Sequence, residues 1–387
     1  MKILIFYASY GGGHLSAANS IKSYIESNYK NSIIEMCDCM KYINKPIEKI
    51  TTDAYKIMAK DVPKAWGMIY KWSDKGPIFH ISNFNNEMMS KKLHKMFIEF
   101  NPDIVISTHP FSTQMSAYLK KTGKIKCKIA SIMTDFASQN QWLVGNEYVD
   151  YIFVSNKEMR DVIIKKGVDE KKVFATGIPL SLRFQEKFDK EKIYEEFKLN
   201  KNKKIILFFG GGEFGLAKEA TTEVLKQFVE NLQNKYQIVI ISGKNDKIHQ
   251  KFEEIVKEEK QGENAKVLGF TNMVPELMSI SYMVVTKPGG LTSTESISSN
   301  LPMIIINPIP GQEEENARYL EKNEVAIWLH DDDNFKEKIK QILEDDKKIE
   351  EMREKTKKIA NINSTRDIVR TIMNEQSLQN NNQWMKR

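Results

Sequence analysis

The sequence predicts an α/β protein built on two parallel sheets. Short β-branched apolar runs alternate with longer amphipathic stretches, the alternation occurs twice, and each series carries strand–glycine–helix junctions. The first series of strands is expected at residues 3–8, 33–36, 104–107, 129–133 and 151–154. The second is expected at 205–209, 238–241, 266–268, 283–285, 303–306 and 325–328. Gly177-Ile178-Pro179-Leu180 and a charged helical segment separate the two series, which places a linker at 181–200 between a domain at 1–180 and another at 201–360. Beyond Asp331 the pattern is helical and charged, ending in a last helix at 361–375, and the Asn-rich stretch 376–387 reads as a disordered tail. Residues 41–100 form a long helical insertion in which Trp66 and Trp72 lie among many lysines.

Bulk properties agree with two soluble domains. A chain of 387 residues exceeds what one core usually serves. Its 41% hydrophobic and 28% charged residues, with mean hydropathy −0.46, exclude both a disordered chain and a spanning one. No apolar run approaches the ~18 residues of a membrane-crossing helix. The opening Met1-Lys2-Ile3-Leu4-Ile5-Phe6-Tyr7 runs straight into glycines, so it reads as a buried strand and not a signal peptide. Cys37, Cys39 and Cys127 supply neither a disulfide framework nor a zinc ligand set, and this points to the cytoplasm. A net charge of +7 suits an anionic surface. No RNA or DNA motif accompanies it, so no nucleic-acid partner is expected.

The glycine junctions carry the chemistry. Phe209-Gly210-Gly211-Gly212 follows a strand and opens a helix, presenting backbone N–H groups to phosphate. The run Gly210 to Gly215 also fits G-x-G-x-x-G, but the next strand ends Ile241-Ser242-Gly243-Lys244-Asn245, without the acid that a dinucleotide site uses, and hydride chemistry is demoted. Thr286-Lys287-Pro288-Gly289-Gly290-Leu291-Thr292 brings a second strand to a helix start suited to a diphosphate, and Glu295, one turn in, suits both hydroxyls of a ribose. Gln312, Glu313 and Asn316 share one face at the start of a further helix and suit sugar hydroxyls. In the first half, Gly11-Gly12-Gly13-His14 puts a histidine at a helix N-terminus, where its pKa falls and it stays neutral as a general base requires. Thr134-Asp135-Phe136 and Thr108-His109-Pro110 end two more strands at the same edge. Asp135 either orients an acceptor hydroxyl, supports His14 or caps a helix, and His109 either lines the cleft or holds a structural role.

Together these residues resemble the monogalactosyldiacylglycerol synthases and processive diacylglycerol glucosyltransferases, relatives of the peptidoglycan lipid-intermediate transferase in glycosyltransferase family 28. The resemblance runs from Gly11–His14 through 107–111, 134–142, 177–179, 210–212, 243–245, 269–271 and 287–295 to 312–316. It implies a GT-B fold, two Rossmann-like domains facing each other across a cleft, with the C-terminal helix crossing back to the first domain. It implies a UDP-sugar bound by the second domain, with Phe270 and Thr271 at the uracil and Glu295 at the ribose. Gly210 to Gly212 and Gly289 to Thr292 would face the diphosphate, and Gln312, Glu313 and Asn316 the sugar. It implies a lipid acceptor, diacylglycerol, on the first domain near Gly12, Gly13, His109, Phe136 and Trp142, with His14 or Asp135 taking its proton, and inversion to a β-glycoside. One departure stands out: family members carry a histidine three residues before the tryptophan of the Thr-Asp-Phe segment, and here Gln139 precedes Trp142. Glutamine hydrogen-bonds but takes no proton at neutral pH.

No metal or other cofactor is expected, and helix N-termini with Lys244 or Lys287 would carry the leaving group's charge. The lysine-rich insertion with Trp66 and Trp72 suits a peripheral anchor on the cytoplasmic face of the membrane. Three rivals accompany this reading: N-acetylglucosamine transfer to a polyprenyl acceptor, a UDP-sugar epimerase, and a non-catalytic UDP-sugar sensor with a protein partner.

Overall fold

The computed structural model describes residues 1–9, 12–43, 77–210, 219–232 and 234–373. Gly211, Gly212, Trp66, Trp72 and the tail 376–387 lie outside the described residues, as does the insertion between 44 and 76. The chain divides into two compact units, Met1–Leu182 with Pro310–Gln312 and Asn361–Arg387, and Arg183–Ile309 with Glu313–Ala360.

In the first unit the described elements are β1 (Lys2–Tyr7), α1 (Gly12–Asn28), β2 (Ile33–Asp38), α2 (Pro77–Phe100), β3 (Ile104–Ser107), α3 (Pro110–Lys121), β4 (Lys128–Ile132), β5 (Tyr151–Val154), α4 (Lys157–Lys165) and β6 (Val173–Ala175). The strands form one parallel sheet in the order β2-β1-β3-β4-β5-β6. Parallel strands are covered on both faces, which explains their unbroken apolar runs. The period of two is visible in the packing: Leu4, Phe6, Val105, Ile129 and Ile152 enter one cluster with Leu93, Phe97 and Met115. Their neighbours Ile3, Ile5, Ile104, Ile106, Ala130 and Phe153 enter another with Ile21 and Ile25 of α1. The sequence reading passed over β6, a three-residue strand at the sheet's edge.

The second unit runs α5 (Lys190–Glu196), β7 (Lys204–Phe209), α6 (Glu219–Glu230), β8 (Tyr236–Ile241), α7 (Asp246–Glu258), β9 (Ala265–Leu268), α8 (Val274–Ile280), β10 (Ser281–Thr286), α9 (Gly290–Ser298), β11 (Met303–Ile305), α10 (Gln312–Lys322), β12 (Ala326–Trp328), α11 (Phe335–Glu344) and α12 (Asp346–Ile359). Its sheet is also parallel, ordered β12-β11-β10-β7-β8-β9. The stretch 181–200 is structured: Arg183 donates to Asn272 O and pairs with Glu276, and α5 is capped by Asp189.

The last helix, α13 (Ser364–Ile372), belongs to the first unit, where Ile368, Val369 and Ile372 join the cluster around Ile3 and Ile5. Gly177-Ile178-Pro179-Leu180 is its landing place. Gly177 adopts φ +89°, and a Cβ there would lie 3.1 Å from Ser364 Cβ, so both conformation and close approach demand glycine. Thr365 Oγ1 accepts from Leu180 N at 2.8 Å and donates to Leu180 O at 2.6 Å, while Asn361 Nδ2 donates to Thr176 O at 2.7 Å.

Candidate active site

In doubly wound sheets, ligands bind at the carboxyl ends of the strands where the winding reverses. The first sheet reverses between β1 and β3, and the second between β7 and β10. His14 follows β1 and His109 follows β3; Gly210 follows β7 and Lys287 to Gly290 follow β10. His14, His109, Gly210 and Lys287 to Gly290 thus follow the strands that flank the two reversals, whereas Asp135, Lys244, Phe270 and Gln312 follow strands farther along the sheets.

At the first reversal His14 sits in the opening turn of α1, partly buried, with Nδ1 2.6 Å from Thr108 O. A carbonyl only accepts, so this contact puts the ring proton on Nδ1 and leaves Nε2 with its lone pair. Burial is the main cause that lowers the His14 pKa to about 4, against the raising effect of the Thr108 contact, and the ring is neutral at neutral pH. Buried His109 meets it edge-on at 4.7 Å between centroids. His109 Nδ1 accepts from Phe111 N at 3.3 Å, capping α3, and its pKa is held well below 6.5 by burial and then by proximity to His14. His109 thus has a structural task at the helix start. Gly12 opens α1 with nothing within 4 Å of a built Cβ, and Gly13 precedes His14 in the same turn.

The segment after β4 holds Asp135 and Phe136, both buried. Asp135 is not a helix cap: the short turn Asn140–Leu143 is preceded by Gln139 and carries no side-chain cap. The loop is braced by Lys166, which donates to Ser138 Oγ at 3.2 Å and Asn140 Oδ1 at 2.8 Å. Gln139 Nε2 is buried without a hydrogen-bond partner among the described residues. Trp142, expected to line the acceptor region, is instead 2% exposed and packs in the core with Met115 and Met159, because within the turn Asn140–Leu143 the large apolar indole gains more by joining the apolar cluster.

At the second reversal, Gly289 precedes α9 with none of the described residues within 4 Å of where its Cβ would stand, and Gly290 to Thr292 form the first turn. Leu291 is buried against the unit and Thr292 is partly exposed. Glu295 is partly buried, and none of the described residues donates to or pairs with its carboxylate; burial alone pushes its pKa up to about 7. A carboxylate so placed has unused acceptor capacity for two hydroxyl groups. Gly289 N donates to Lys287 O at 2.9 Å, and the helix start beside it offers its first-turn N–H groups to an anion.

The neighbouring residues sort by task. Phe270 is 59% exposed, with Lys244 Nζ 4.7 Å above its ring, which leaves an aromatic face for a planar ligand. Thr271 Oγ1 accepts from Met273 N at 3.0 Å and so shapes the turn into α8. Gly243 takes φ +72°, and Asn245 caps α7 through Lys247 N and Ile248 N. Gly210 is glycine for a packing reason: a Cβ there would lie 2.1 Å from the Phe252 ring. Glu313 Oε2 accepts from Ile309 N at 2.6 Å and stands 4.0 Å from Lys287 Nζ, while Gln312 is partly exposed at the start of α10. Asn316, expected among the sugar readers, is fully buried and donates to Pro288 O at 3.0 Å. Its amide braces the loop before Gly289, since a buried amide must spend its donors on the protein. Thr108 and Thr134, for which the motifs suggest no task, supply the oxygens at His14 Nδ1. Among the described residues no three His, Cys, Asp or Glu side chains group so as to hold a metal ion, and no helix is long and apolar enough to cross a membrane.

Comparison with known proteins gives these residues a context. The family described as Monogalactosyldiacylglycerol (MGDG) synthase matches residues 14–180, and Glycosyl transferases group 1 matches residues 189–359. A processive diacylglycerol β-glucosyltransferase of Bacillus licheniformis is 30% identical over 97% of this chain and 95% of its own. Among solved structures, Acinetobacter baumannii MurG superposes with TM-score 0.62 at 13% identity, covering 96% of this chain and 99% of the other. The UDP-GlcNAc 2-epimerase from Neisseria meningitidis, bound to UDP-GlcNAc, superposes with TM-score 0.59 at 14% identity, covering 96% and 100%. At these identities the likeness concerns the fold, a two-domain GT-B architecture.

Proposed function

Because the chain belongs to the family of the processive diacylglycerol β-glucosyltransferases, we propose that it is an inverting glycosyltransferase that moves glucose or galactose from a UDP-sugar to the hydroxyl of 1,2-diacylglycerol. The observation that carries the donor half of this reading is the partly buried carboxylate of Glu295, without a partner among the described residues, one turn inside the helix that follows Gly289. It accepts the ribose hydroxyls, the α9 start takes the diphosphate, and the exposed Phe270 face takes the uracil. Glu313 and Gln312 face the sugar.

His14 supplies the chemistry in the first unit. Its Nε2 takes the proton from the diacylglycerol hydroxyl as that oxygen attacks the anomeric carbon. The bond from that carbon to the UDP oxygen breaks, and its electron pair leaves with UDP. Attack opposite the departing group turns an α-linked donor into a β-glycoside. Buried Asp135, on the adjacent loop, orients the acceptor hydroxyl. Charge on the departing UDP is met by the α9 start and by Lys287 and Lys244, so no metal ion is required. The protein acts as a peripheral enzyme on the cytoplasmic face of the cell membrane, drawn to anionic lipid by its net charge of +7.

The likeness to a UDP-GlcNAc 2-epimerase favours one alternative, conversion of a UDP-sugar without any acceptor. Incubation with UDP-glucose, UDP-galactose and UDP-N-acetylglucosamine, with and without diacylglycerol vesicles, separates the two by mass spectrometry. Glycosylated diacylglycerol is expected, undiminished by a chelator. A new UDP-sugar epimer in the lipid-free samples, with no lipid product in the others, would replace the transferase reading.

A further inference from the structure

We propose that Thr134 is a positioning residue for the base: its hydroxyl and the Thr108 carbonyl together hold the His14 ring in the tautomer whose Nε2 accepts the proton. This rests on the reading of His14 as the base. Nδ1 lies 2.6 Å from Thr108 O and 3.2 Å from Thr134 Oγ1, so two oxygens converge on one ring nitrogen. A carbonyl has no proton to give; Nδ1 therefore keeps its hydrogen, and the threonine oxygen takes the second branch of a three-centre bond. Thr108 also grips the backbone of the same residue, its Oγ1 donating to His14 O at 2.9 Å. The ring is thus tied to the ends of two different strands, β3 and β4.

Both threonines are buried, Thr108 at 0% and Thr134 at 4% exposure, so water does not compete for these contacts. As Nε2 takes a proton the ring becomes a cation, and hydrogen bonds to a charged donor strengthen. Thr134 then stabilises the protonating ring more than the resting one, and an interaction of that kind raises turnover instead of substrate affinity. The titratable group packed on the ring within the cluster is His109, which is held neutral and adds no counter-charge. Neutral oxygens therefore do here what a carboxylate partner does in a histidine–aspartate pair.

The test compares Thr134→Val, which keeps the shape and removes the oxygen, with Thr134→Ser, which keeps the oxygen. At saturating donor and acceptor, Thr134→Val is expected to lower kcat about tenfold, the equivalent of one charge-assisted hydrogen bond. UDP affinity measured by calorimetry stays unchanged, and the acid limb of kcat moves to lower pH because the imidazolium has lost an acceptor. Thr134→Ser restores most of kcat. A Thr134→Val enzyme with wild-type kcat and an unmoved acid limb would overturn the inference, as would a Thr134→Ser enzyme equally impaired, which would make the methyl group the part that matters. Undiminished turnover in His14→Ala would sink the base assignment itself; an impaired His14→Ala beside an unaffected Thr134→Val sinks only the role of Thr134.

Discussion

The two sheet reversals differ in how much of their hydrogen bonding is complete without a ligand. Around His14 the ring nitrogen, the backbone carbonyl and the neighbouring histidine are all engaged within the unit. Around Glu295 the carboxylate has no partner among the described residues, and none of them lies within 4 Å of a Cβ built at Gly289. A base works best when its orientation is fixed before the reactants meet, whereas a donor site keeps capacity that only the ligand fills. Both regions use burial, with opposite results. Burial lowers the His14 pKa and favours its working, neutral form; it raises the Glu295 pKa and disfavours the form that accepts hydroxyls.

The largest effect should come from breaking the complete region. His14→Ala removes the proposed base, and kcat is expected to fall by about 10²–10⁴. Calorimetric UDP affinity should stay at the wild-type value, since the proposed donor site belongs to the other unit. A parallel loss of both would mean that the two regions are not the separate devices their bonding suggests.

The next effect tests the incomplete region. In the unliganded protein Glu295 is half protonated near pH 7, and in the proposed donor site ribose hydroxyls bind the carboxylate form. UDP binding should therefore release a proton and weaken about tenfold per pH unit as the pH falls below 7, until the carboxyl's pKa in the complex is reached. Glu295→Gln should bind UDP more weakly at pH 8 and lose this dependence. Calorimetry in two buffers of different ionisation enthalpy reads the proton directly; affinity that is level from pH 5 to pH 8 would remove Glu295 from the ribose.

Much of the fold was legible because parallel strands buried on both faces must be apolar throughout, and runs such as Ile104–Ser107 and Tyr151–Val154 have no other easy reading. β6 escaped because three residues give no periodicity. Of the site, the residue types and their edge were legible, since glycine after a strand and polar residues at a helix start carry local signals. The partners were not. Thr134 and His14 are 120 positions apart, and Gly177 is glycine because of a helix that begins at Ser364. Likewise nothing near Gly210 in sequence announces Phe252, and the burial of Trp142 and Asn316 is decided by elements far from them along the chain.

The smallest predicted effect bears on stability and follows from the same unused capacity. Glu295 has a folded pKa of about 7 against 4.5 for the free side chain, so between these limits the folded protein binds more protons than the unfolded one. Stability then falls as pH rises through that window: the favourable contribution is fully present below 4.5 and gone above 7. Because the carboxylate is partly exposed, water screens the cost, and roughly 1 kcal/mol is a reasonable scale. Glu295→Gln, which has no charge to bury, should raise the unliganded Tm by a few degrees at pH 8 and leave it unchanged at pH 4. Saturating UDP should reverse the order at pH 8, since the wild-type carboxylate then finds its hydroxyl donors and the amide does not. If the variant melts with the wild type at both pH values without ligand, the carboxylate is already satisfied, and the contrast between the two reversals disappears.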